Sequence, residues 1–118
     1  MMKNKRSEGT KSEQIAENFL TKKGLKIICR NYHFGRGEID LIFDDNGILV
    51  FVEVKSRRTD EYGEPEDAIT IPKRKQIRRV AEGYLWENNI ENVECRFDVV
   101  AIKWEDYKPI IKYIPNAF

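Results

Sequence analysis

The sequence predicts an α/β domain, a mixed β-sheet flanked by helices in the order α-β-β-β-α-β-β. Three observations carry that prediction. Alternating residues from Gly37 to Phe43 and from Ile48 to Lys55 read as a hairpin, joined by Asp44-Asp45-Asn46-Gly47, whose Asn-Gly pair favours positive φ. Two other stretches repeat apolar residues at helical spacing: Ile15, Ala16, Phe19, Leu20, and Ile77, Val80, Ala81, Tyr84, Leu85. Further strand-like runs follow the second helix, so a right-handed crossover through it completes the sheet. The chain's 118 residues hold one core, giving a single domain at 10–118 behind a polar, basic, flexible segment at 1–9.

The first helix is expected from about Lys11 to Lys23, opened by a Thr10-x-x-Glu13 capping box and closed by Gly24. At about 100° per residue, Glu13 lies nearer its apolar stripe than Glu17 and is the better placed to look inward. Leu25 to Phe34 reads as a strand, with Ile27, Cys29 and Asn31 on one face and Ile28, Arg30 and Tyr32 on the other. Gly35-Arg36-Gly37 is a turn whose glycines permit close backbone approach. In the hairpin, Ile39, Leu41 and Phe43 are expected opposite Glu38, Asp40 and Ile42, with Phe43 near Ile48. The second hairpin strand puts Ile48, Val50, Val52 and Val54 on one face and Leu49, Phe51, Glu53 and Lys55 on the other. Both faces are apolar up to Val52, which marks a central strand.

Ser56 to Ile71 is a charged, turn-rich loop containing Arg57, Arg58, Tyr62, Gly63 and Pro65. Pro72 suits a first helical position, and Lys73 to about Trp86 continues that helix. Glu94 to Lys103 is a strand with Arg96, Asp98, Val100 and Ile102 on one side and Cys95, Phe97, Val99 and Ala101 on the other. Pro109 to Ile114 makes a short edge strand.

Composition excludes more than it selects. Lys plus Arg number 21 against 20 acidic residues, so overall charge announces no polyanion and only its distribution can. Cys29 and Cys95 lack a Cys-x-x-Cys or histidine companion and are expected to be reduced core residues. His33, the sole histidine, rules out a histidine metal cage and suits a surface or edge-strand place. Met1-Met2-Lys-Asn-Lys-Arg has no apolar segment behind it, and the longest apolar run, Ile48 to Val52, is far too short to span a bilayer. A cytoplasmic protein is expected.

The feature that the rest is organised around is ionisable. Glu53 and Lys55 leave one face of the central strand, and Asp40 on the neighbouring strand comes close to Val52 and Glu53. Buried central strands rarely tolerate such groups without partners or a metal. A strand-end ion pair is one reading, a reactive site the other.

Ile39-Asp40 followed by Glu53-Val54-Lys55 resembles the active-site motif of the restriction-endonuclease-like nucleases, PD-(D/E)XK, without its proline. Gly37-Glu38-Ile39-Asp40-Leu41-Ile42, Phe51-Val52-Glu53-Val54-Lys55 with Arg57, and Arg96-Phe97-Asp98-Val99-Val100 are similar to the uncharacterised YraN-like family of small bacterial proteins. That family looks similar to archaeal Holliday-junction resolvases. The resemblance covers roughly Ser12 to Ile102 and implies a restriction-endonuclease-like fold. It implies Asp40 and Glu53 as ligands of Mg²⁺ or Mn²⁺, with the Val54 carbonyl a third. Glu13 is implied as a further ligand and catalytic group, matched by Ser12-Glu13-Gln14-Ile15-Ala16; its alternative role is the helix cap. Two carboxylates suit a hard cation that keeps waters and takes substrate phosphate. Lys55 would set positive charge where negative charge develops at phosphorus.

Lys73, Arg74, Lys75, Arg78 and Arg79 crowd the first turns of the second helix, against the preference of its dipole for anions. A solvated face is the bland account. A phosphate-facing patch of Arg57, Arg58, Lys73, Lys75 and Arg78 explains the charge better. Asp98 is expected to be structural, and Ser56 has no adjacent base. The expected function is metal-dependent hydrolysis of DNA phosphodiesters on branched or single-stranded DNA. A homodimer is suggested by analogy with the resolvases. A nucleic-acid-binding module without turnover and a protein-interaction adaptor remain as alternatives.

Overall fold

The central hairpin sets the frame. The computed structural model describes residues 3–58 and 63–118, with 3–10 as backbone alone. It contains α1 (Lys3–Lys22), β1 (Lys26–Phe34), β2 (Gly37–Asp45), β3 (Ile48–Arg58), a 3₁₀ turn (Pro65–Ala68), α2 (Ile71–Glu87), β4 (Cys95–Glu105) and β5 (Lys108–Ile114). The five strands lie in the order β1-β2-β3-β4-β5, antiparallel except for the parallel β3–β4 pair that α2 connects. The mixed sheet flanked by helices is therefore the one the sequence predicts, with β3 central and β5 at an edge.

Each face of the sheet carries its own core. Ala16 and Leu20 of α1 bury against Leu41, Phe43, Val50, Val52, Val100 and Ile102. On the other face Ile77, Val80, Ala81 and Tyr84 of α2 bury against Ile39, Ile42, Leu49, Phe51, Phe97 and Val99. β3 and β4 thus alternate between faces as their sequences require.

Three expectations are corrected. First, α1 starts at Lys3 rather than near Lys11, so Thr10 lies inside the helix and is not its N-cap. The preceding residues contain no proline, and Gly9 costs a helix only about 1 kcal/mol. The C-terminus is as expected: Gly24 has φ of +100°, and the Leu25 and Gly24 amides donate back to the Leu20 and Thr21 carbonyls at 3.2 and 3.0 Å, a Schellman closure. Second, the hairpin pairs Asp45 with Ile48 and Phe43 with Val50, so the turn is the two-residue Asn46–Gly47, with φ of 51° and 94°. Positive φ at both positions gives the twist that antiparallel strands favour, and it moves the register by two from the Phe43–Ile48 pairing.

Third, simple alternation fails in β1 and β2. A bulge between Ile27 and Cys29 sends Ile27 to the α1 face and Cys29 to the α2 face. Asn31 takes φ of 50°, and Tyr32 then returns to the α2 face. In β2, Ile39 belongs to the α2-side core although Leu41 and Phe43 belong to the α1 side. The switch falls at Asp40, where the regular β2–β3 ladder stops after Leu41↔Val52.

Other expectations stand as read. Cys29 and Cys95 are free and half-buried. His33 sits on edge strand β1, exposed, with Nε2 3.4 Å from the Glu38 carboxylate. Tyr62, expected among the turn residues after β3, lies outside the described residues. No helix of the described residues is long and apolar enough to cross a membrane.

Candidate functional site

The site is built where the β2–β3 ladder ends. Asp40 leaves the regular pairing, and its Oδ2 accepts the Val54 backbone N–H at 2.8 Å, so a side chain takes the place of a strand hydrogen bond. That bond fixes the Asp40 carboxylate beside the end of the central strand. Glu53 is 3% exposed on the α2 face, and its Oε1 is buried without any hydrogen-bond partner. A carboxylate oxygen removed from water and left unbonded costs free energy, on the order of 1–3 kcal/mol or more when charged.

Electrostatics respond accordingly. Burial, reinforced by the charge of Asp40, pushes Glu53 up to about 8, while Lys73, Lys55 and the Asp40 backbone amide oppose the rise. Burial pushes Asp40 up to about 6; the Val54 N–H opposes this, Glu13 and Glu38 add to it, and Lys55 opposes it. The two acids compete for one protonation event, because neighbouring buried carboxylates do not both ionise cheaply.

The surrounding side chains were partly foreseen. Glu13 is close enough for its charge to be felt at Asp40, and its Oε1 accepts the Asn31 Nδ2 amide at 2.9 Å. The expectation that Glu13 is better placed than Glu17 to look inward is corrected: Glu17 is the more buried, 8% exposed, and binds Arg30 Nε and Nη2 at 2.7 and 2.6 Å. The apolar stripe of α1 is wide enough to turn both glutamates toward the sheet, and the β1 bulge supplies an arginine for the inner one.

Lys73 reaches Glu53 because α2 lies very close to the start of β2. A Cβ on Gly37 would meet Val80 Cγ2 at 2.4 Å, so only glycine allows that approach. One helical turn before Gln76, which also borders Gly37, Lys73 is brought within electrostatic range of Glu53. Nothing in the sequence spacing of Lys73 signals this; the paired glycines flanking Arg36 were the available hint.

The five residues expected to meet phosphate do not share one surface. Alternation along β3 sends Arg57 to the face of Glu53 and Lys55 and Arg58 to the opposite face. Lys75 is exposed on α2. Arg78 lies over the Phe97 ring, 4.7 Å from its centroid, and 5.6 Å from that of Phe118. Asp98 is fully buried and structural: it accepts Arg96 Nε at 2.9 Å, the Asn116 amide at 2.8 Å and the Tyr113 hydroxyl.

Could these residues hold a cation? Among the described residues no group of three or more His, Cys, Asp or Glu side chains is arranged around a common point. The donor set is therefore the carboxylate pair Asp40–Glu53, and the unbonded Glu53 oxygen is the atom that a cation would satisfy. Two carboxylates completed by water and substrate oxygens fit a small hard divalent ion.

Comparison with other proteins narrows the identity. Residues 12–102 match the model of the uncharacterised protein family UPF0102. The chain belongs to the UPF0102 family. This is the YraN-like family whose motifs the sequence resembles. A UPF0102 protein of Lachnoclostridium phytofermentans is 47% identical over 116 residues, covering 98% of this chain and 95% of its own. One from Desulfosudis oleivorans is 43% identical, covering 100% and 94%, and one from Symbiobacterium thermophilum is 46% identical, covering 96% and 97%.

Proposed function

We propose that this UPF0102 chain is a metal-dependent nuclease that hydrolyses DNA phosphodiester bonds, with the PD-(D/E)XK nucleases and archaeal Holliday-junction resolvases as its wider kin. The observation that carries this reading is the buried, unbonded Glu53 Oε1 beside Asp40 at the end of the central strand. A purely structural acid would have donors for both oxygens, as Asp98 and Glu17 have.

Asp40 and Glu53 would hold Mg²⁺ or Mn²⁺, with the Val54 carbonyl a third ligand and Glu13 an outer one. Bound there, the cation would lend Lewis-acid charge to a phosphodiester and lower the pKa of a nearby water. The chain's own groups do the rest. The Val54 amide orients Asp40 and favours its ionised form. Lys55 follows Glu53 on the same face, so its ammonium lies where negative charge grows on the phosphoryl oxygens, and it favours the ionised form of both acids. Lys73 adds positive charge from α2. Arg57 and Lys75 hold flanking phosphates without reading sequence.

Purified protein with Mg²⁺ or Mn²⁺ should nick single-stranded or branched DNA. Lys55→Ala should lower the rate by about two to four orders of magnitude while retaining metal affinity. Glu53→Gln should lose both. Cleavage surviving in Asp40→Ala, Glu53→Ala and Lys55→Ala alike would come from a contaminant, and a binding module without turnover would replace this reading.

A further inference from the structure

A cavity of about 440 Å³ opens on the α2 face, between the 3₁₀ turn, the start of α2 and strands β4 and β5. Its floor lies beside the strand that carries Glu53. Val99 lines it and is the register partner of Glu53; Ile114 lines it and is the register partner of Val99. Neighbouring strands lie about 5 Å apart, so the floor begins one strand from Glu53 and ends two strands away.

The walls are of two kinds. Ile71, Val99, Ile114 and Phe118 are apolar, and the Arg74 guanidinium lies 5.7 Å from the centre of the Phe118 ring. Glu66, Asp67 and Thr70 supply the polar side. One oxygen of Glu66 accepts Lys112 Nζ, while Oε1 is buried with no hydrogen-bond partner. Glu53 Oε1 and Glu66 Oε1 are thus both unbonded buried carboxylate oxygens, one at the candidate cation site and the other at the wall of the adjoining cavity. A lone cation would be a poor occupant of the second, because Lys112 already neutralises Glu66 and Arg74 adds positive charge to the wall. A flat molecule with apolar faces and polar edge groups suits such a lining: faces against the aliphatic and aromatic walls, edge toward the polar side chains.

We infer that this cavity receives an unpaired nucleobase of the strand whose phosphate lies at Asp40 and Glu53, its polar edge toward Glu66, Asp67 and Thr70. This rests on the nuclease reading and deepens it, because a base enters only when it is out of the double helix. Single-stranded DNA, or the unpaired part of a branched one, is then the substrate class. Selection comes from stacking and a few polar side chains, so sequence preference is weak.

The test uses equilibrium binding in Ca²⁺ without turnover, to a single-stranded DNA of about twelve nucleotides. In one series of oligonucleotides a single abasic site is moved along the strand; a blunt duplex is the comparison. Loss of the base at one position should weaken binding to the parent by about tenfold, the size of one stacked base. Ile71 is 64% exposed at the cavity mouth, so Ile71→Trp should fold normally and narrow it. In that variant the intact strand should bind about tenfold more weakly and the abasic penalty should vanish. Glu66→Gln, which keeps the shape, should reduce the penalty less. Equal affinity for every abasic strand, with salt-sensitive binding retained, would overturn the cavity's role and leave the nuclease reading standing. No binding of any nucleic acid by the parent would overturn both.

Discussion

Glu53 concentrates the chemistry of the molecule in one side chain. Its carboxyl is raised to about 8 and that of Asp40 to about 6, both chiefly by burial. The folded chain therefore keeps protons that the unfolded chain releases at about pH 4. Stability conferred by this pair is complete below that pH and declines as pH rises through about 8, the reverse of a salt-bridged acid. In a chelating buffer, the melting temperature of the parent should fall between pH 5 and 8 relative to that of Glu53→Gln, which mimics the protonated acid. Parallel pH profiles for the two proteins would contradict the assignment. The sequence placed Asp40, Glu53 and Lys55 together because β3 alternates regularly and ends in polar residues. It did not reveal that one Glu53 oxygen lacks a partner, since that depends on the whole shell around it.

At the scale of elements, close backbone approaches decide where helices sit. In α2, a Cβ on Gly83 would meet the Phe34 ring at 2.3 Å. Gly83→Ala gains up to about 1 kcal/mol of helix propensity but should lose about 1–3 kcal/mol by displacing Phe34, so the urea midpoint should fall. A raised midpoint would mean that Phe34 swings aside freely. The strand faces make a second prediction. Arg57→Ala and Lys75→Ala should each flatten the salt dependence of DNA binding by about 0.7 to 1 unit, whereas Arg58→Ala, on the opposite face, should leave it unchanged. Equal effects from all three would mean that the DNA wraps past the sheet edge. Helical stripes and the faces of β3 and β4 were legible because they obey a local period. The β1 bulge, the left-handed Asn31 and the face switch at Asp40 were not, because partner strands impose them. The two-residue hairpin turn was half-legible: Asn-Gly marks the turn, but the flanking aspartates left its length open.

For the whole molecule, the proposed cation would couple its binding to folding. Mg²⁺ or Mn²⁺ at about one hundred times its dissociation constant should stabilise the fold by about 2.7 kcal/mol, seen as a higher melting temperature. Asp40→Asn removes a proposed ligand and also relieves repulsion, so the variant should be more stable than the parent in chelator and gain less from the cation. Equal gains in the two proteins would exclude Asp40 as a ligand.

The bulge at Ile28 has a consequence for assembly. β1 and β5 are the sheet's two free borders. One is kinked by the bulge and by the left-handed Asn31; the other carries Pro109, which has no amide hydrogen to donate. Neither border offers a straight, fully donating strand to a second copy, so the fold resists growth by edge-to-edge addition. A two-fold pair of these chains would have to meet through helices or loops instead, leaving each sheet a closed unit of five strands.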